Sequence, residues 1–209
     1  MHGLALSLFT TALLGVGVVH ADNLLVNAGF ENPAGTAYTS LPGGSPTITG
    51  WTTVLSGVEW FDATGYGGAA DGVMIVDLAN YVYTGGGIEQ TFATEVGKRY
   101  DVSFAFGTMA GFGRDGTAHV DVSVAGETLG YDIVNATSTL KWTMETLSFT
   151  AVDVSTTLRF TNEQNPYAHF ANIDAVSVLA AAPVPEPETY ALMLAGLGLV
   201  GFAARRRAG

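Results

Sequence analysis

The chain has 209 residues, 48% of them hydrophobic, with 27 glycines, no cysteine and a formal net charge of −11. Three of its eight basic residues and two of its nineteen acids lie beyond residue 182, and the signal-like N-terminus carries no charged side chain, so residues 22–182 carry −12. Such a surface, with no basic cluster, excludes a nucleic-acid partner, and the missing cysteines exclude a disulfide framework, leaving stability to a core that about 160 residues can bury unaided.

In chain order, the first element is an apolar run from Leu4 to Val19. Val19, His20 and Ala21 then give the small-x-small pattern of a signal-peptidase site, which predicts a signal peptide over residues 1–21 and export of the chain from Asp22 onward. Its n-region departs from the pattern, because His2 stands where Lys or Arg is usual.

From Asn23 to Leu179 no helical period is sustained, whereas short runs of alternating apolar and polar residues recur between Gly, Asn, Asp and Pro. The pattern predicts strands at Val73–Leu78, Gly87–Phe92, Arg99–Phe106, Ala118–Val124, Leu140–Thr150, Thr156–Thr161 and Ala171–Leu179. In the third, Tyr100, Val102, Phe104 and Phe106 share one face and Asp101 and Ser103 the other. Gly- and Pro-rich stretches predict surface loops at Ala34–Pro46, Tyr66–Gly72 and Gly107–Gly116. Residues 22–182 therefore read as one all-β ectodomain, a two-sheet antiparallel sandwich of jelly-roll or immunoglobulin type.

The last element, residues 183–209, differs in kind. Pro185 and Pro187 hold the backbone extended around Glu186, ready for a processing enzyme to grip. Thr189 to Ala204 is uncharged and, as a helix, about 24 Å long, slightly short of a hydrocarbon core. Local thinning or snorkelling arginines would close the gap in a transmembrane helix. Arg205, Arg206 and Arg207 form the membrane stop and stay cytoplasmic, which places the ectodomain across the membrane.

This order of motif, greasy helix and basic end resembles the PEP-CTERM sorting signal, with Val184, Pro185, Glu186, Pro187 and Glu188 at the motif. The resemblance implies cleavage by a membrane-embedded exosortase and a destination at the cell surface or in an exopolysaccharide or biofilm matrix, after transient inner-membrane anchoring. A plain, uncut anchor is the alternative.

A second resemblance spans most of the middle. Asn23 to Glu31 open the domain, Ile48, Gly50 and Trp51 come next, then Gly86, Gly87, Ile88, Gln90, Thr91 and Phe92, and Asn172, Ile173, Asp174, Val176, Ser177 and Val178 close it. This order is similar to choice-of-anchor and DUF642-type domains, a branch of the galactose-binding-like jelly rolls that includes many carbohydrate-binding modules. It implies a structural calcium at Glu31 and Asp174, completed by loop carbonyls. Without the metal, the two carboxylates would cap turns or pair with backbone amides.

A sugar platform needs exposed rings for the C–H faces of a pyranose. Trp51 and Trp142 read as core, so the candidates are Trp60, Tyr66, Tyr81 and Tyr83, although the alternation of Trp60 with Val58 also suits a buried position. No GxSxG elbow, HExxH helix or catalytic triad occurs. The carboxylate pairs Glu59 with Asp62 and Asp71 with Asp77 leave a weak glycosidase alternative. The expected function is thus an exported, non-enzymatic surface or matrix protein that binds carbohydrate. The main alternative is a structural or adhesive matrix protein with protein partners.

Overall fold

The structure is a computed structural model that describes residues 22–34, 38–81, 85–182 and 187–208. The signal segment 1–21, Tyr83, and Val184, Pro185 and Glu186 of the sorting motif lie outside them.

Eleven strands form among these residues: β1 Tyr38–Pro42, β2 Thr52–Leu55, β3 Gly57–Asp62, β4 Met74–Asp77, β5 Gly86–Ala93, β6 Arg99–Thr108, β7 Thr117–Val124, β8 Glu127–Val134, β9 Lys141–Thr150, β10 Ser155–Asn162 and β11 Asn172–Ala180. They pair into a six-stranded sheet, β1-β3-β4-β11-β6-β9, and a five-stranded sheet, β2-β5-β10-β7-β8. Every pairing is antiparallel. The all-β sandwich and all seven predicted strands are therefore present.

One predicted loop is corrected. Ala34–Pro46 contains β1, which pairs with β3 from Tyr38 opposite Phe61 to Pro42 opposite Gly57. Its proline sits at the end of an edge strand, where a missing N–H costs no ladder bond.

Strand alternation builds the core. In β7, Ala118, Val120, Val122 and Val124 point inward, while His119, Asp121 and Ser123 face outward. Inward residues of both sheets, among them Trp60, Val76, Phe104, Phe106, Ile88 and Phe160, form one cluster with Phe30 and Trp51 from the loops. Each such side chain contributes about 1.5–3 kcal/mol by leaving water. The N-terminal segment is tied to the last strand, with Leu24 N–H donating to the Val178 carbonyl at 3.0 Å and Asn23 Nδ2 to that of Val176 at 2.9 Å.

The outer face of the six-stranded sheet is covered as well. All four residues of β4 are buried, as are Glu59 and Phe61 of β3. A second apolar cluster of Phe61, Ala63, Ile75, Met109, Leu140 and Phe170 lies on this side, with Tyr66, Tyr81 and Trp142 against it. Gly107 of β6 makes room for it, because a Cβ there would stand 2.5 Å from the Trp142 ring.

A helix, α1, spans Pro187–Ala208. Leu192, Leu194, Leu197, Leu199, Val200 and Phe202 point in all directions around it and are exposed. Among the described residues, however, no helix is long and apolar enough to cross a membrane. The uncharged run from Thr189 to Ala204 stops short of the roughly 20 residues a span requires, between Glu188 and the arginines. The helix is as expected, and its length does not establish the transmembrane crossing.

Candidate functional site

Four connections meet over the outer face of the six-stranded sheet and enclose a cavity of about 320 Å³. Tyr38 of β1, Phe61 of β3 and Tyr66 of the 3-10 turn at Thr64–Tyr66 form one wall. Tyr81, Phe170 and Arg114 form the other, and Met109 and Phe112 complete it. The rings brace one another in sequence: Tyr38 with Phe61 at 5.7 Å, Phe61 with Tyr66 at 5.4 Å, Tyr66 with Phe112 at 6.0 Å, and Phe112 with Phe170 at 6.5 Å. Phe112 is 70% exposed and has φ of +52°, a conformation costly for a side-chain-bearing residue. A large apolar ring held out at a pocket mouth in this way suits a binding surface.

Arg114 is fixed from several sides. Its guanidinium lies 4.5 Å from the Phe170 ring centre and 5.1 Å from that of Tyr81. Its Nε and Nη2 donate to the Pro166 carbonyl and its Nη1 to that of Phe112. The Tyr167 ring packs tilted by 60° against Tyr81, 5.9 Å between centres, and its hydroxyl donates to the Tyr81 carbonyl.

Beneath the rings lies an acidic floor. Glu59 and Asp77 oppose each other across β3 and β4, and Asn172 of β11 stands opposite Asp77 on its other side. Tyr81 donates its hydroxyl to Asp77 Oδ2 at 2.9 Å, and the Ala171 N–H reaches Oδ1 at 3.3 Å. Burial pushes the Asp77 carboxyl up to about 7, against the pull of these two hydrogen bonds and with a further push from Glu59. Burial and the Asp77 charge likewise raise the Tyr81 phenol, which stays a protonated donor. Glu59 Oε2 and Asn172 Oδ1 have no hydrogen-bond partner among the described residues.

Of the residues expected at a sugar platform, the structure brings Tyr66 and Tyr81 together in this pocket. Trp60 is corrected to the core: it is 3% exposed and donates its Nε1 to the Phe30 carbonyl at 3.0 Å. Tyr83 lies outside the described residues. Sequence reasoning missed Tyr38, Phe61, Phe112, Arg114 and Phe170. The usable signal was an acid inside a short, otherwise apolar strand, Val58-Glu59-Trp60-Phe61 and Met74-Ile75-Val76-Asp77, which marks a sheet covered on both faces.

Each proposed glycosidase pair combines a buried acid, Glu59 or Asp77, with a less buried one, Asp62 or Asp71. Asp62 accepts the Thr64 N–H at 2.7 Å in the turn after β3, and Asp71 lies beside Gly29 in an exposed loop. Asn135, which begins the glycosylation-type triplet Asn135-Ala136-Thr137, is buried, and its amide donates to the carbonyls of Thr108 and Thr139.

Glu31 and Asp174 meet through residues 70–74. Asp174 Oδ2 accepts the N–H groups of Ala70 and Asp71, and Oδ1 that of Ala175. Glu31 Oε1 accepts those of Val73 and Met74. Asp174 is raised to about 7 by burial, with the Asp71 charge adding to it and the three amides opposing. No basic side chain pairs with Glu31, Asp71 or Asp174 among the described residues. No group of three or more His, Cys, Asp or Glu side chains among them is arranged to hold a metal, so an ion here would need carbonyl oxygens to complete its shell.

Comparison with solved structures places the fold. The chain superposes on the carbohydrate-binding module TmCBM61, determined in complex with β-1,4-galactotriose, with a TM-score of 0.50 and 19% identity over 77% of this chain and 100% of that one. It matches part of the arabinose-bound MgGH51 α-L-arabinofuranosidase with a TM-score of 0.50 and 17% identity, over 79% of this chain and 27% of the enzyme. The K1 cleaved adhesin domain of Lys-gingipain from Porphyromonas gingivalis W83 gives a TM-score of 0.50 and 15% identity, over 71% of this chain and 100% of the domain. A comparison with curated proteins found no match. Residues 183–207 match the PEP-CTERM protein-sorting motif. Residues 23–178 match the profile described as protein of unknown function (DUF642), and the chain belongs to the DUF642 family.

Proposed function

We propose that this protein is an exported, non-enzymatic carbohydrate-binding protein, sorted through its C-terminal motif, that takes a sugar in the aromatic pocket over the six-stranded sheet. The observation that carries the reading is the pocket itself, a cavity of about 320 Å³ walled by aromatic rings with one arginine at its side. Rings of this kind pack against the apolar faces of a pyranose, and the Arg114 guanidinium offers donors to its hydroxyls. The fold shared with TmCBM61, whose structure holds a galactotriose, supports it. Glu59 and Asp77 are sealed below Tyr81, out of reach of a glycosidic oxygen, which supports binding without hydrolysis.

The test is binding of the mature protein to polysaccharides of its own matrix and to a glycan array, beside the variants Tyr66→Ala and Phe112→Ala. Loss of binding in the variants with an unchanged unfolding midpoint supports the reading, and no binding by the parent protein removes it. An adhesive role with protein partners is the second reading, supported by the fold shared with the gingipain adhesin domain. Self-association unaffected by any sugar would favour it.

The sorting part of the reading has an exosortase cutting near Pro185, with α1 held in the inner membrane until then. Expression with and without an exosortase, with intact mass as the readout, tests it. We also infer a structural calcium at Glu31 and Asp174, supported by acids brought together without a basic partner. The metal would tie the first segment of the domain to its last strand.

A further inference from the structure

The two ends of the sandwich do different things. Strand β6 runs from Arg99 to Thr108, and Met109, Phe112 and Arg114 of the pocket come directly after its Thr108 end. At its Arg99 end, the Ala181 N–H donates to the Arg99 carbonyl at 3.0 Å, so the chain leaves the domain there. At about 3.3 Å per residue, β6 sets roughly 30 Å between the two. Five peptide steps, at most about 18 Å, link Ala182 to the head of α1. The helix is therefore tethered to the end of the sandwich opposite the pocket.

That tethered end also carries exposed valines where turns usually carry Gly, Asn or Asp. Val96 is 65% exposed, Val152 73% and Val154 68%. Val96 lies between β5 and β6, and the other two between β9 and β10. Hydrogen bonds join these turns into one surface: Thr94 N–H to the Val154 carbonyl, Gly97 N–H to that of Ala151, and Ala151 N–H to that of Lys98. Lys98 pairs here with Glu95 at 2.7 Å and Arg99 lies beside Asp101 at 3.8 Å, with Asp153 and Glu127, which lines one groove with Arg99 and Val152, as further acids. Two of the five basic side chains in a domain of net charge −12, Lys98 and Arg99, lie at this end and reduce its repulsion from an anionic lipid surface.

We propose that Val96, Val152 and Val154 form a lipid-contacting end. Before the tail is cut, the domain rests these three side chains in the headgroup layer of the membrane that holds α1, with the aromatic pocket facing away. The contact rests on the proposed holding of α1 in the membrane. Apolar loop tips beside a short tether meet the interface at little entropic cost, since the tether already fixes their height.

The cysteine-free sequence allows single labels. The full chain, carrying an environment-sensitive fluorophore at Val152→Cys, at Thr64→Cys beside the pocket, or at Leu199→Cys in α1, would be reconstituted in vesicles of phosphatidylethanolamine and phosphatidylglycerol containing a nitroxide-lipid quencher. The expected result is a blue shift and quenching at positions 199 and 152, with position 64 remaining aqueous. Lipid contact at 199 with an aqueous 152 overturns the docking end alone. An aqueous label at 199 overturns the membrane reading of the tail and the docking with it. A label at Thr150→Cys should lose its quenching in the background V96D/V152D/V154D, and retention there would also overturn the proposal.

Discussion

Glu59 and Asp77 stand directly opposite each other on β3 and β4, 2% and 0% exposed, with no basic side chain paired to either among the described residues. Burial penalises the charged form of Asp77 and, with a smaller push from the neighbouring Glu59, raises its carboxyl to about 7.

This pairing makes stability depend on pH. Asp77 ionises near 3.8 when unfolded and near 7 when folded, so between these values the folded state binds the extra proton and stability falls as pH rises. One such group gives a slope of at most about 1.4 kcal/mol per pH unit, levelling off above pH 7. Hydrogen bonds from Thr64 and Thr117 hold Asp62 and Asp115 below the usual carboxylate range, and their contribution is lost only in stronger acid. Urea unfolding from pH 4 to 8 should show a decline in stability toward pH 7, with Asp77→Asn reducing the slope. An unchanged slope in Asp77→Asn would contradict the assignment.

Removing the Tyr81 hydroxyl leaves Asp77 Oδ2 without its 2.9 Å donor. Tyr81→Phe should cost about 1–3 kcal/mol at neutral pH and less at pH 5, where the carboxyl can supply its own proton. Denaturant titrations at the two pH values check this, and equal losses would count against it.

Phe112 and Arg114 act at the mouth and wall of the pocket. Phe112→Ala removes an exposed ring while keeping the left-handed backbone of that position, and should leave stability nearly unchanged while weakening sugar binding roughly tenfold, about 1.4 kcal/mol. Arg114→Lys retains the charge and loses the planar fork over Phe170 and Tyr81, so it should weaken binding as well. Isothermal titration with the best ligand from the array reads both, and undiminished affinity would move the site elsewhere.

Trp60→Ala offers the contrast. A side chain 3% exposed in the inter-sheet core should cost about 3–5 kcal/mol of stability when truncated. At a temperature where the variant is folded, its sugar affinity should match the parent. A binding defect there would return Trp60 to the site.

The proposed calcium has a direct readout. Chelation with EDTA should lower the unfolding midpoint by several degrees and added calcium should restore it, because an ion bound only by the folded state stabilises by mass action. Glu31→Gln should abolish the response. A midpoint insensitive to both treatments leaves Glu31 and Asp174 as acceptors for the amides of residues 70–74 and 175.

Where one face met the core and the other met water, the sequence was legible. β7, β10 and the first half of β6 alternate cleanly, and all three strands were located to within two residues, whereas β6 beyond Phe104 is buried on both faces. β8 escaped because it is an edge strand with a mostly exposed side and Gly130 in the middle. β2 and β3 escaped because Ser56 alone separates strands that belong to different sheets. The same double coverage hid the site. Tyr66 and Tyr81 were found through their glycine-rich flanks, whereas Trp60 resembled a platform residue until the register with β4 turned it inward. Arg114 and Phe170 lie 56 positions apart in the chain (170 − 114), and no local pattern records that the guanidinium sits 4.5 Å from the ring centre.

The last strand of the domain is not at an edge. β11 lies between β4 and β6 in the middle of the six-stranded sheet, and its Val176 and Val178 also hold the first residues of the domain. The six-stranded sheet therefore cannot close until residues 172–180, at the C-terminal end of the domain, are free to pair, and its first and last segments become ordered together.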